Sequence, residues 1–301
     1  MQTVQEIVRK TTEYLRGRQI ESARLDAELL VADALGWDRL TVFTRFDYPL
    51  TDEQLHQCRE RVRRRASGEP VAYILGYKDF YMHRFAVNSE TLIPRPDSEV
   101  LVDTAIGRLR TERSNVAEGN SRLRIADFGC GTGCLGISIV LGLAVDAQLE
   151  VELELIDVSK GALDIAQTNS KSIIADEVRI QSRCVQLDLD QAEVPLATAA
   201  YDLIVANPPY IAEDDPRTQK SVRDFEPFRA LFSDQSGFGA HRRWMAHAHR
   251  LLKPGGWTYF EMGEGQADSL AQEAQAIGFS KVATVPDLSG IARVLEAQKE
   301  G

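Results

Sequence analysis

Long hydrophobic runs are missing from this 301-residue chain. None approaches the roughly 18 consecutive apolar residues that a membrane-spanning helix needs, so no membrane partner is expected. Cysteine is scarce. Cys58, Cys130, Cys134 and Cys184 are too few and too scattered to staple a chain of this length. Cys130 and Cys134 have no second Cys or His pair at zinc-ligand spacing beside them, so no metal site is expected. All four read as reduced thiols of a cytoplasmic protein. Positive charge is also short: 35 Lys and Arg face 45 Asp and Glu, a formal charge of −10. Such an acidic chain is ill suited to bare nucleic acid, whose affinity comes from phosphate neutralisation. Internal repeats and low-complexity tracts are absent. The first twenty residues interleave Glu6, Arg9, Lys10, Glu13 and Arg16 with apolar positions, the pattern of a helix and not of a signal peptide.

What is present is ordinary globular composition, 44% hydrophobic and 27% charged, at a length that suits about two domains. Residues 3 to about 66 show no strand-like alternation and read as helices. Ile7, Tyr14 and Leu15 fall at helical spacing, and a second helix from Ser22 to Leu35 stops at Gly36, a C-terminal cap. Thr51-Asp52-Glu53-Gln54 fits a capping box opening a third helix through Arg59, Arg61, Arg63, Arg64 and Arg65. That basic run reads as a solvated face, with the docking of an acidic partner as the alternative. Residues 1–68 are therefore expected to form a small helical domain.

Gly68-Glu69-Pro70 ends it. The aromatic and β-branched residues between Val71 and Val87 predict a β-hairpin linker over 69–93. Pro94-Arg95-Pro96 is a stiff connector, and Asp97-Ser98-Glu99 places acid where a helix start favours it. A polar stretch from Thr111 to Ser121 follows. From Leu123 onward strands alternate with helices. Strands are expected at 123–127, 151–156, 178–187, 201–206 and 257–262, with helices at 135–143, 162–169, through 244–252 and up to Ile277. A final strand pair spans Asp287–Gly290. This alternation predicts a doubly wound α/β domain over residues 94–301.

Asp127-Phe128-Gly129-Cys130-Gly131-Thr132-Gly133 joins the first of these strands to its helix. Glycines there allow a sharp turn and a close approach to a ligand, with helix N–H groups aimed at it. Asp157 ends the next strand, where its carboxylate can accept both ribose hydroxyls of a nucleoside. Gly131-Thr132-Gly133-Cys134-Leu135-Gly136 formally satisfies the dinucleotide fingerprint, so an NAD-dependent oxidoreductase is a rival reading. Against it, the Asp127 carboxylate would repel pyrophosphate but suit a cationic amine, as in S-adenosylmethionine. Asp188, after the third strand, adds a contact for an adenine amino group. The charge logic favours the sulfonium cofactor.

Asp202-Leu203-Ile204-Val205-Ala206-Asn207-Pro208-Pro209-Tyr210 runs a buried strand into Asn-Pro-Pro-Tyr. The bland alternative is a strand that Pro-Pro merely terminates. In a cofactor-binding sheet the motif has a chemical use. An amide or aromatic amine nitrogen is a poor nucleophile because its lone pair is delocalised. With its two N–H groups accepted by the Asn207 side-chain oxygen and the Pro208 carbonyl, that lone pair can be aimed at a methyl carbon. Pro208 and Pro209 have no N–H to compete as donors. Tyr210 offers a face for a planar group. The motif suits a planar –NH2 acceptor, whether a nucleic-acid adenine or a protein amide.

The chain resembles the peptide chain release factor glutamine N5-methyltransferases (the PrmC/HemK family) over essentially its whole length. The segments that carry the resemblance are Gly68–Gly76, Leu92–Pro96, Ala126–Gly133, Asn207–Ile211, Phe225–Pro227, Glu261–Gln266 and Asp287–Arg293. It implies a Rossmann-like class I methyltransferase sheet with a C-terminal antiparallel strand. It further implies methylation of the glutamine amide in the Gly-Gly-Gln motif of class I release factors, by a cytoplasmic monomer. The resemblance assigns Asn207, Pro208, Pro209 and Tyr210 to catalysis and substrate binding. It assigns Asp127, Gly129, Cys130, Gly131, Thr132, Gly133, Asp157, Asp188 and Leu189, with Asn207, to S-adenosylmethionine. The helical domain would meet the release factor. Two departures stand out: Met82 where many relatives carry Gly, and Ser236-Gly237-Phe238-Gly239 in place of an Asp-Gly-Leu-like stretch. Alternatives are a ribosomal-protein glutamine methyltransferase and, less favoured by net charge, an N6-adenine nucleic-acid methyltransferase. A non-enzymatic adaptor is disfavoured because both motifs are intact.

Overall fold

The computed structural model describes residues 2–114, 122–144 and 148–301. The chain packs into two units: Met1–Tyr77 with Lys220–Phe225, and Lys78–Gln219 with Glu226–Gly301.

The first unit is helical: α1 (Val4–Gly17), α2 (Ala23–Leu35), α3 (Arg39–Thr44), α4 (Asp52–Ala66) and α5 (Val71–Leu75). The buried stripe Val4, Ile7, Thr11 and Leu15 of α1 recurs every three to four residues, as an amphipathic helix requires. The capping box expected at Thr51 forms, with the Gln54 N–H donating to Thr51 Oγ1 at 3.3 Å and the Thr51 N–H to Gln54 Oε1 at 3.0 Å. Gly36 closes α2 at φ +66°. Helix α3 is additional to the three expected; it is too short for periodicity to reveal, and its signal is Asp38, whose Oδ1 accepts the Thr41 N–H at 2.7 Å. Four of the five arginines in the basic run have carboxylate partners within the unit. Arg61 pairs with Asp33, Arg63 with Glu60, Arg64 with Glu69 and Arg65 with Asp26. Those four charges are partly neutralised from within the unit, while Arg59 stays exposed.

The hairpin expected over 69–93 is shorter and later than its composition suggested, because α5 takes 71–75. It consists of β1 (Tyr77–Phe80) and β2 (His83–Ala86). Beyond a 3₁₀ turn at Pro96–Ser98, α6 (Glu99–Ser114) extends through the start of the polar stretch; residues 115–121 lie outside those described.

The remaining elements alternate: β3 (Arg122–Phe128), α7 (Cys134–Leu143), β4 (Glu150–Asp157), α8 (Lys160–Ile173), β5 (Ile180–Gln186) and β6 (Tyr201–Ala206). Three short pieces fill the long connection, α9 (Lys220–Phe225, in the first unit), α10 (Phe228–Leu231) and α11 (Asp234–Gly237). Then come α12 (Gly239–Leu251), β7 (Leu252–Glu261), α13 (Ala267–Ile277), β8 (Phe279–Pro286) and β9 (Ala292–Lys299). The sheet order is β5-β4-β3-β6-β7-β9-β8, parallel except for β9, which runs antiparallel to both its neighbours. Successive residues of β6 enter different cores. Leu203 and Val205 pack in one with Ile137 and Leu101, while Ile204 and Ala206 pack in the other with Met245 and Leu270. A strand covered on both faces must be apolar throughout, which explains the unbroken Leu203–Ala206 run. Order reverses between β3 and β6, so their C-terminal ends part to leave a crevice.

Candidate functional site

That crevice is a cavity of about 450 Å³, within the usual range for a small-molecule site. Its floor is the glycine loop after β3. The loop is stitched to the end of β4: Cys130 N–H donates to the Ile156 carbonyl at 2.9 Å, and Gly131 N–H to Asp157 Oδ2 at 2.9 Å. Asp157 Oδ1 also accepts the Ser159 N–H at 2.8 Å. Gly129 has φ +63°, and a Cβ there would lie 2.5 Å from the Trp244 ring, so the position admits no side chain.

Asp127, only 1% exposed, turns Oδ2 to the Gly136 N–H at 2.9 Å, in the first turn of α7. This bond bears on the choice of cofactor. The helix N–H that a pyrophosphate would seek is already taken by the chain's own carboxylate, so the NAD reading loses a main anchor. Burial, with a smaller push from the Asp157 charge, raises the Asp127 carboxyl to about 7. Burial likewise raises Asp157. Asp188, Asp190 and Glu90 line the same cavity, giving it an acidic wall. Asp188 Oδ1 accepts the Asp190 N–H at 3.0 Å, and Asp190 is itself held by Trp244 Nε1 at 3.2 Å and Arg243 Nε at 3.0 Å.

The residues expected at the site divide. Asp127, Gly129, Cys130, Gly131, Thr132, Asp157, Asp188, Leu189, Asn207 and Pro209 line the cavity. Gly133 is the N-cap of α7, where a Cβ would meet Ile137 and Leu155. Pro208 is buried. Tyr210 directs its hydroxyl to Glu261 Oε1 at 3.2 Å. None of these three is among the lining residues.

Sequence reasoning missed Trp244, Arg243 and Asp190, which gave no motif signal. It also gave no role to the wall that Pro94 and Arg95 form with Pro227, Phe228 and Arg229, although both segments carried the family resemblance. Glu226 ties that wall together, accepting the Ile93 N–H at 3.2 Å and Arg95 at 2.5 Å. Among the described residues no group of His, Cys, Asp and Glu is placed to hold a metal, and no helix is long and apolar enough to cross a membrane.

A parallel sheet with one reversed strand beside its last is the class I methyltransferase fold, and an acidic, nucleoside-sized cavity at its switch point fits S-adenosylmethionine, which is cationic at both sulfur and amine. Residues 6–76 match the model of the PrmC N-terminal domain, and residues 113–225 that of the methyltransferase small domain. The chain is 35% identical over 294 residues to the release factor glutamine methyltransferase of Geobacter sulfurreducens, covering 97% of this chain and 95% of that one. Its counterpart in Rhodopirellula baltica is 33% identical, covering 99% of this chain and 96% of the relative, and that of Salmonella typhimurium is 33% identical over 92% of each. The chain belongs to the release factor glutamine methyltransferase family, and S-adenosylmethionine is its cofactor.

Proposed function

We propose that this enzyme methylates the side-chain amide nitrogen of the glutamine in the Gly-Gly-Gln motif of class I peptide chain release factors. It would do so in the cytoplasm, as a monomer and without binding nucleic acid directly. The names of its relatives support the choice of a release-factor glutamine. The observation that carries the chemistry is Asn207. Its carboxamide lines the cavity and has no hydrogen-bond partner among the described residues. The carboxylates of Asp127, Asp157 and Asp188, at or just beyond the ends of neighbouring strands, each accept N–H groups of their own chain and keep lone pairs for the cofactor. A free amide oxygen at a strand end, followed by two residues without N–H groups, leaves acceptors for a planar –NH2.

S-adenosylmethionine supplies a methyl group on positively charged sulfur. Asp157 would hold the ribose hydroxyls, Asp188 the adenine amino group, and Asp127 the amino-acid ammonium, with Gly129–Gly133 and Leu189 shaping the floor. Asn207 Oδ1 and the Pro208 carbonyl would accept the two N–H groups of the substrate amide and turn its lone pair toward the cofactor. Held there, the nitrogen needs no general base before attack, and positioning carries most of the rate. Pro209 walls the corner, and Tyr210 stiffens it.

Incubation with labelled S-adenosylmethionine and a purified class I release factor tests the reading. Label is expected in the peptide containing Gly-Gly-Gln. Label confined to a ribosomal protein, or to DNA or RNA, would overturn it.

A further inference from the structure

The Glu261–Gln266 segment follows the strand next to β6, and register sets it beside the Asn207 corner: Ala206 is paired with Phe260, one residue before Glu261. Glu261 is buried, and its Oε1 accepts the Tyr210 hydroxyl proton at 3.2 Å. Its Oε2 has no hydrogen-bond partner among the described residues. A buried acid with only the Tyr210 hydroxyl and Ser98 as hydrogen-bonding neighbours is a costly way to pack a strand end. The backbone beneath it is fixed by His241, which donates Nε2–H to the Glu261 carbonyl at 2.8 Å and is held neutral by burial, its pKa lowered to about 4. Gln266, also buried, grips the other end of Tyr210. Its Oε1 accepts the Gly263 N–H at 2.8 Å, and its Nε2 donates to the Tyr210 and Gly237 carbonyls, each at 3.3 Å. Gly237 has φ +89°, and a Cβ there would sit 2.3 Å from the Tyr210 carbonyl oxygen. Glycine at that position lets the two carbonyls share one donor group.

We propose that Glu261 and Gln266 are positioning residues for methyl transfer, gripping Tyr210 by its hydroxyl and its carbonyl and so holding the turn that presents Asn207 and Pro208. This rests on the function proposed above. Neither residue lines the cavity, so each acts on the substrate only through Tyr210.

The test combines a readout that needs no substrate with a mutant cycle. In the unliganded protein, Glu261→Ala and Gln266→Ala are expected to speed amide hydrogen exchange at Tyr210 and Ile211 about tenfold, the scale of one lost hydrogen bond. Exchange in the glycine loop should not change. With release factor as substrate, kcat should fall about tenfold while the dissociation constant for S-adenosylmethionine stays within about twofold. Glu261→Gln, whose amide oxygen still accepts the hydroxyl proton, should restore most of the rate. Glu261→Ala added to Tyr210→Phe should cost nothing further. Unchanged exchange at Tyr210, additive losses in the double variant, or parallel losses of rate and cofactor affinity with no rescue by glutamine would each overturn the proposal. Failure of the unaltered enzyme to methylate release factor would instead sink the function, and the exchange result would still decide whether Tyr210 is gripped.

Discussion

Asp127 shows how far one buried group can set the behaviour of the site. Raised to about 7, its carboxyl is neutral over much of the acidic range in the unliganded protein. An ammonium group is attracted to the ionised form only, so affinity for S-adenosylmethionine is expected to be lost as pH falls through 7. Calorimetry should find binding about tenfold weaker at pH 6 than at pH 8, since each unit below the pKa costs a factor of ten. In Asp127→Asn that dependence should vanish and binding should be weak throughout. A flat profile in the unaltered protein would show that Asp127 does not carry the contact. The aspartate was legible beforehand because a carboxylate two residues before the glycine turn is a charge statement. Trp244 was not, since its role depends on a Gly129 Cβ that is missing and on a helix over a hundred residues away.

At the scale of elements, local signals survive where chemistry is local. Capping at Thr51, the turn at Gly36 and the apolar β6 run were all legible, because each depends on neighbours in the chain. Helix α5 was not, since Val71–Leu75 has the β-branched and aromatic content of a strand yet packs as a helix inside the first unit, with Ile74 against Leu15 and Leu30. The hairpin turn bears on Met82, where the family resemblance leads to an expectation of glycine. Tyr81 and Met82 have φ +44° and +68°, a two-residue turn of the type that favours glycine second. Tyr81 is compensated by bonds from its N–H to Glu99 and from its hydroxyl to Asp103. Met82, 98% exposed, has no such bond among the described residues. Met82→Gly is expected to stabilise the protein by about 1 kcal/mol, the cost of a left-handed side-chain residue. Chemical denaturation reads this directly, and a loss of stability would mean that the methionine makes a contact of its own.

The whole molecule is two units that share one chain twice. Lys220–Phe225 leaves the catalytic unit's sequence to join the helical one, where the Phe225 ring lies 3.3 Å from where a Gly68 Cβ would be. No contiguous reading of domains finds such an excursion, because its signal is a contact between residues far apart in sequence. The cofactor choice also acts at this scale. At about 100 times its dissociation constant, S-adenosylmethionine should add about 2.7 kcal/mol to the stability of the unit that binds it and raise its melting temperature by several degrees. NAD at the same concentration should leave melting unchanged; an equal shift by NAD would restore the dinucleotide reading. The most direct measurement of the central claim is single-turnover methyl transfer to a release factor by Asn207→Ala. The rate to the Gly-Gly-Gln glutamine should fall at least a hundredfold, as expected when a positioned acceptor is removed, while the fold stays intact. Transfer at the unaltered rate would contradict it.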